Sequence, residues 1–303
     1  MTLRKALALS AGLLSCLPGD ERPEPGSLLV TAVPSAGLRD GFTTDDGWSI
    51  TFDRFVTALG GVDLENDEGG NSILESGSCA KYSGTNYEWL MDVTRASTEK
   101  VGLAYGLGTC SIEWRFRGPS SDTALGVGVG QADLEEMRKE ATDAYNDEER
   151  PTSLRMIATA QKDEMLIQID WTFRSSYSVE RCVTDTDEEG ASLVELEGGV
   201  GREFVIEVRA EELFRRTPEE DAPFEFEAMA LADADGDGST TLAELALVPA
   251  PPQPPPEEEE DDFGDDDPVI EILTMADLVY VSLLPRVTRG RGAGPCDAER
   301  RGR

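Results

Sequence analysis

The chain has 303 residues and carries 61 acidic against 27 basic side chains, a formal net charge of −34. Such a field repels phosphate backbones and argues against nucleic acid as a partner, while favouring cations. Histidine is absent altogether, which removes Ser-His-Asp and Cys-His catalysis, histidine proton shuttles and histidine-ligated zinc, copper or iron. Metal chemistry must then rest on oxygen ligands, and so on calcium or magnesium.

At the N-terminus Arg4 and Lys5 precede an uncharged, mostly apolar run from Ala6 to Leu14. That run is too short to span a bilayer and has the shape of a secretory signal. It ends in Leu13-Leu14-Ser15-Cys16, which resembles the lipobox of bacterial lipoproteins. The resemblance implies a signal over residues 1–15, lipidation of Cys16, and a cell-envelope protein that meets the membrane through its lipid anchor only. Two or three acyl chains hold firmly where one holds marginally. Leu14 is bulkier than the small residue most lipoboxes carry there. Leu17 rather than Asp after the cysteine leans, by resemblance to enteric lipoproteins, toward the outer membrane or cell surface. Export suits the other cysteines: Cys79, Cys110, Cys182 and Cys296 are an even set, expected to form two disulfides with the pairing left open.

Residues 16–46 are rich in Pro, Gly, Asp and Glu and read as a flexible tether. Residues 47–212 read as a β-rich domain. Trp48, Ile50 and Phe52 alternate with polar residues, as do Ser111 to Arg117 and Met165 to Phe173. Period two with one aromatic face predicts half-buried antiparallel strands. Weaker strand candidates lie at Tyr87 to Val93, Leu154 to Ala160, Tyr177 to Val183 and Phe204 to Val208. The number and spacing of these runs predict a mainly β body resembling an antiparallel β-sandwich, α+β once the C-terminal helices are included. A single helix is expected inside it, with Leu134, Met137, Ala141 and Tyr145 on one face and Asp133 and Glu136 as a capping pair. The glycine-rich run Gly126 to Gly130 matches neither a dinucleotide fingerprint nor a phosphate loop and reads as a connection.

Residues 213–248 read as a helix-loop-helix. Phe224, Ala228 and Leu231 share a helical face ahead of Asp233-Ala234-Asp235-Gly236-Asp237-Gly238-Ser239-Thr240-Thr241-Leu242-Ala243-Glu244. This twelve-residue run resembles the loop of the EF-hand calcium-binding family at every liganding position. The resemblance implies Ca2+ held by side chains of Asp233, Asp235, Asp237 and Glu244, by the Ser239 carbonyl, and by the Thr241 hydroxyl or a water. Gly238 stands where such loops turn sharply. The eighth position, here Thr240, ordinarily carries Ile, Val or Leu and bridges to a partner loop, and no second loop is evident. Residues 249–268 hold a proline tract and an acidic run and read as a mobile linker. Residues 269–303 combine an apolar segment, too charged to span a membrane, with an arginine-rich tail expected to pack back on the body through Cys296.

The function expected from these features is that of a calcium-binding envelope lipoprotein, a binding or structural module stiffened by one EF-hand and meeting a protein or glycan partner. No catalytic motif is present. The alternative is a hydrolase of extracellular polymers using paired carboxylates, chemistry that needs no histidine, with calcium purely structural.

Overall fold

The structure is a computed structural model, and it describes residues 23–65, 79–143, 145–182, 193–252 and 272–301. The signal and Cys16, most of the proline and acidic linker, and the last two residues lie outside them. The described chain is mainly β. Its strands form one curled 15-stranded sheet and a separate two-stranded one, where the sequence suggested two sheets packed as a sandwich.

Two long strands produce the curl. Glu99–Arg117 pairs with Gly26–Pro34 along its first half and with Ser49–Glu65 along its second. One strand thus passes from one half of the sheet to the other. Ser49–Glu65 bends in its middle, where the register slips between Gly60 and Asp63. Gly61 has φ +57 there, and a Cβ on it would stand 2.8 Å from the Arg115 side chain. Only glycine tolerates that combination of positive φ and close approach.

The runs of alternating residues all lie in strands. Leu154–Lys162 and Met165–Phe173 form a hairpin beside Ser49–Glu65. Its inward residues Met156, Ala158, Ile169, Trp171 and Phe173 are fully buried. Trp48, Trp114, Phe55, Phe116, Phe214 and Phe226 fill the same core. Aromatic rings of this size supply much of the apolar area that drives such a sheet to close on itself.

Two expectations change. First, residues 26–34, assigned to the tether, form a strand with Leu28, Val30 and Ala32 fully buried. It pairs on one side with Glu99–Arg117 and on the other, in parallel, with Gly201–Val208. A continuous apolar run is what a strand covered on both faces requires; the surrounding Pro, Gly and acidic residues masked it. Second, the internal helix covers only Gln131–Met137, with Leu134 and Met137 buried. Asp133 accepts from the backbone amide of Gly130 and pairs with Arg54 at 2.9 Å, while Glu136 pairs with Lys139. Ala141 instead belongs to the small two-stranded sheet. The segment after the linker is helical over 275–287 and buries Leu278, Val279, Tyr280, Leu283 and Leu284. It packs on the body as expected. The disulfides pair Cys79 with Cys110 and Cys182 with Cys296. No helix among the described residues is long and apolar enough to cross a membrane.

Candidate metal centre

The acidic loop hangs between two single turns of helix, Glu227–Ala230 and Leu242–Leu245. These replace the longer helices expected on either side. Upstream, Phe224 lies in a β bridge with Arg215, and Leu231 is 73% exposed. The expected Phe224–Ala228–Leu231 face is therefore not formed. Tertiary contacts do the holding instead. The amides of Phe226 and Glu227 donate to Asp46 at 2.8 and 2.7 Å. The Glu227 carboxylate accepts from the Trp48 indole at 2.9 Å and from Lys162 at 2.6 Å. The Lys162 ammonium and then the Trp48 donor hold the Glu227 carboxyl below its usual range.

Within the loop each aspartate turns the backbone that follows it. Asp233 Oδ2 accepts from the Gly238 amide at 3.0 Å, Asp235 Oδ1 from the Asp237 amide at 3.1 Å, and Asp237 Oδ1 from the Ser239 amide at 2.8 Å. Gly238 adopts φ +80, as the sharp turn requires. The outcome is convergence: one carboxylate oxygen from each of Asp233, Asp235 and Asp237 lies within 4.8 Å of the others. The second oxygen of Asp233 is buried and has no hydrogen-bond partner among the described residues. Three anionic oxygens this close repel one another, and an orphaned buried carboxylate oxygen is costly. A divalent cation answers both problems, so the donor set fits a hard, oxygen-bound ion.

Glu244 and Thr241 occupy a different arrangement. Thr241 caps the second helical turn, and its amide and hydroxyl both donate to Glu244 Oε2 at 2.8 Å. The structure thus gathers Asp233, Asp235 and Asp237 into one cluster and ties Glu244 to Thr241 beside it. Ser239, expected to offer its carbonyl, lies in the short strand Ser239–Thr240.

That strand holds what sequence reasoning missed. Ser239 and Thr240 pair in parallel with Gln168 and Ile169 at the edge of the main sheet, and the Gln168 amide donates to the Gly238 carbonyl at 2.8 Å. Thr240, expected to reach toward a partner loop, pairs instead with Ile169 of the hairpin strand. The alternation of Met165 to Phe173 marks Gln168 as outward-facing, but nothing local says which backbone it meets.

No family model, curated protein or solved structure matches this chain. Its chemistry is therefore read from its own residues.

A second carboxylate group lies elsewhere, also unmarked in the sequence. Glu65, Glu113 and Glu180 come from three strands. Glu113 is buried, accepts from the Ser178 hydroxyl and faces Arg115 Nε at 3.6 Å. Lost hydration, then the neighbouring carboxylates of Glu113 and Glu180, push Glu65 up to about 7.

Proposed function

We propose that this chain binds one calcium ion in the loop Asp233 to Glu244 and uses it to fasten the segment 227–248 to the edge of the sheet. Supporting the reading above all is the convergence of three aspartate oxygens within 4.8 Å beside an orphaned oxygen of Asp233. Asp233, Asp235 and Asp237 would hold the ion, with Ser239, Thr241 and Glu244 completing its oxygen shell. The ion supplies charge neutralisation. The chain supplies direction: the loop leaves the ion as a strand on Gln168 and Ile169 and re-enters the body through Leu245, which is fully buried. Calcium of this kind stabilises a surface rather than switching it, as an extracellular site close to its binding constant stays mostly filled. With the lipobox-like Cys16, the reading becomes an envelope lipoprotein that presents a calcium-stiffened β body to a protein or glycan partner.

Calcium titration calorimetry and thermal melts in calcium and in chelator test this reading. One saturable site and a higher melting temperature in calcium are expected, with affinity falling at least about tenfold in Glu244→Gln. Unchanged heats in that variant would move calcium to the acidic linker, and no saturation at about 10 mM would leave the loop without an ion. Membrane fractionation lost in Cys16→Ala tests the anchor; an unchanged distribution removes it.

The cluster of Glu65, Glu113 and Glu180 favours a second reading, the carboxylate-dependent hydrolase, because a carboxyl pushed up beside other carboxyl groups is the equipment of a general acid. The three residues lie outside the cleft beside the calcium loop, so the module remains the first reading. Release of reducing ends from a polysaccharide, abolished in Glu65→Gln, would reverse that order.

A further inference from the structure

An open cleft of about 440 Å³ lies beside the calcium loop, between the helix Gln131–Met137 and the outer face of the hairpin strands. Its size falls within the roughly 300–1,000 Å³ of small-molecule sites. Ser239 and Thr241 form one wall, and the rest comes from the body, including Thr152, Arg155, Asp170, Thr172 and Arg174.

The charges here differ from those of the molecule as a whole. Arg155 and Asp170 neutralise each other in a two-pronged pair, at 3.3 and 3.1 Å. Arg174 has no such partner. Its Nη1 donates to the main-chain oxygens of Lys139 at 2.8 Å and Arg150 at 2.6 Å, and among the described residues it forms no ion pair. Those carbonyls fix the guanidinium plane without cancelling its charge. Glu136 on the same cleft feels the charge of Arg174, but no carboxylate among the described residues touches the guanidinium, and in a chain of net charge −34 such a held arginine facing a cleft marks a place for an anion.

The rest of the lining narrows the class. Glu136 and Asp170 border the cleft, each beside a cation of its own (Lys139 and Arg155), so the residual repulsion on a dianion such as phosphate is about twice that on a single carboxylate. The hydroxyl of Thr172 and the carboxylate of Asp170 suit a ligand that carries hydroxyl groups. Met137 is the one apolar side chain in the lining, which disfavours peptides and lipids.

We propose that this cleft binds a monoanionic sugar of the hexuronate class, with its carboxylate on Arg174 and its hydroxyls on Thr172 and Asp170. The site goes beyond the calcium reading, because Arg174, Thr172 and Asp170 belong to the hairpin strands and their flanking loops.

The test is a titration of the full chain with sodium glucuronate, glucose and inorganic phosphate, followed by calorimetry, in calcium and again in chelator. Saturable glucuronate binding is expected, with glucose and phosphate each at least about tenfold weaker. Binding in either condition supports the site; glucose or phosphate matching glucuronate, or no saturation by about 20 mM in both conditions, overturns it. Arg174→Gln should lose at least about tenfold in glucuronate affinity while its calcium titration stays unchanged. Undiminished affinity in a folded Arg174→Gln also overturns the proposal. The comparison of the three ligands on the unaltered chain stands even if that variant fails to fold. A chain that binds glucuronate but no calcium would sink the calcium reading alone.

Discussion

At the scale of single residues, Thr240 records a conflict between loop and sheet. It is fully buried, paired with Ile169, and its hydroxyl has no hydrogen-bond partner among the described residues. A buried unpaired hydroxyl costs about 1–3 kcal/mol, and valine has the same shape. Thr240→Val is therefore expected to stabilise the fold by about 1 kcal/mol in chemical denaturation. A destabilised variant would mean that the hydroxyl is satisfied. Glu65 gives a prediction in pH. Its folded value, about 7, lies above its ordinary value of 4.5, so the folded state holds the proton more tightly than the unfolded one. The stability this contributes is present below the unfolded value and is lost as pH rises through the folded one. Glu65→Gln should then gain stability relative to the parent at about pH 8 and little at about pH 5. An equal gain at both would show that Glu65 does not titrate in this window.

At the scale of elements, the acidic loop that begins at Asp233 and the hairpin form one unit. Met165–Phe173 would be an exposed edge if Ser239 and Thr240 did not cover it at Gln168 and Ile169. Edges left bare invite pairing with other chains. Two residues of parallel pairing are a small clamp, and the helical turns on either side are too short to hold the loop by themselves. A bound cation would fix the loop from its other side. Hydrogen exchange at the Gln168 amide, which donates to Gly238, reads this directly. Calcium should slow it in the parent and leave it unchanged in Glu244→Gln. Equal exchange with and without calcium in the parent would uncouple the loop from the edge.

At the scale of the whole molecule, closure depends on contacts far apart in sequence. The C-terminal strand Asp297–Arg301 pairs with Ser176–Glu180, and the bridge between Cys182 and Cys296 spans 114 residues beside it. A crosslink over so long a loop removes much unfolded-state freedom, about 4–5 kcal/mol by chain entropy alone. Replacing both cysteines by serine should cost several kcal/mol and release the C-terminal segment to proteolysis before the body. Protection equal to that of the parent would mean that buried side chains from Leu278 to Val287 hold the segment unaided.

The sequence by itself determined what depends on neighbours along the chain. Alternation with aromatic residues predicted the strands around Trp114, Trp171 and Phe173. The spacing of Asp233, Asp235, Asp237 and Gly238 predicted a turn that draws carboxylates together, because each side chain bonds the amide a few positions on. Tertiary structure decided the rest. Residues 26–34 read as tether because composition was weighed over a window in which Pro, Gly and acids outnumber the apolar run, yet two neighbouring strands make them central. The helix expected through Tyr145 stops at Met137, and the helices around the acidic loop shrink to single turns. Isolated turns have little stability of their own, so packing sets their length. The partner of Thr240, the meeting of Glu65 with Glu113 and Glu180, and the seat of Arg174 on the carbonyls of Lys139 and Arg150 all join residues distant in sequence. Local pattern carries no information about such meetings, because register and sheet curvature are set only when the whole core closes.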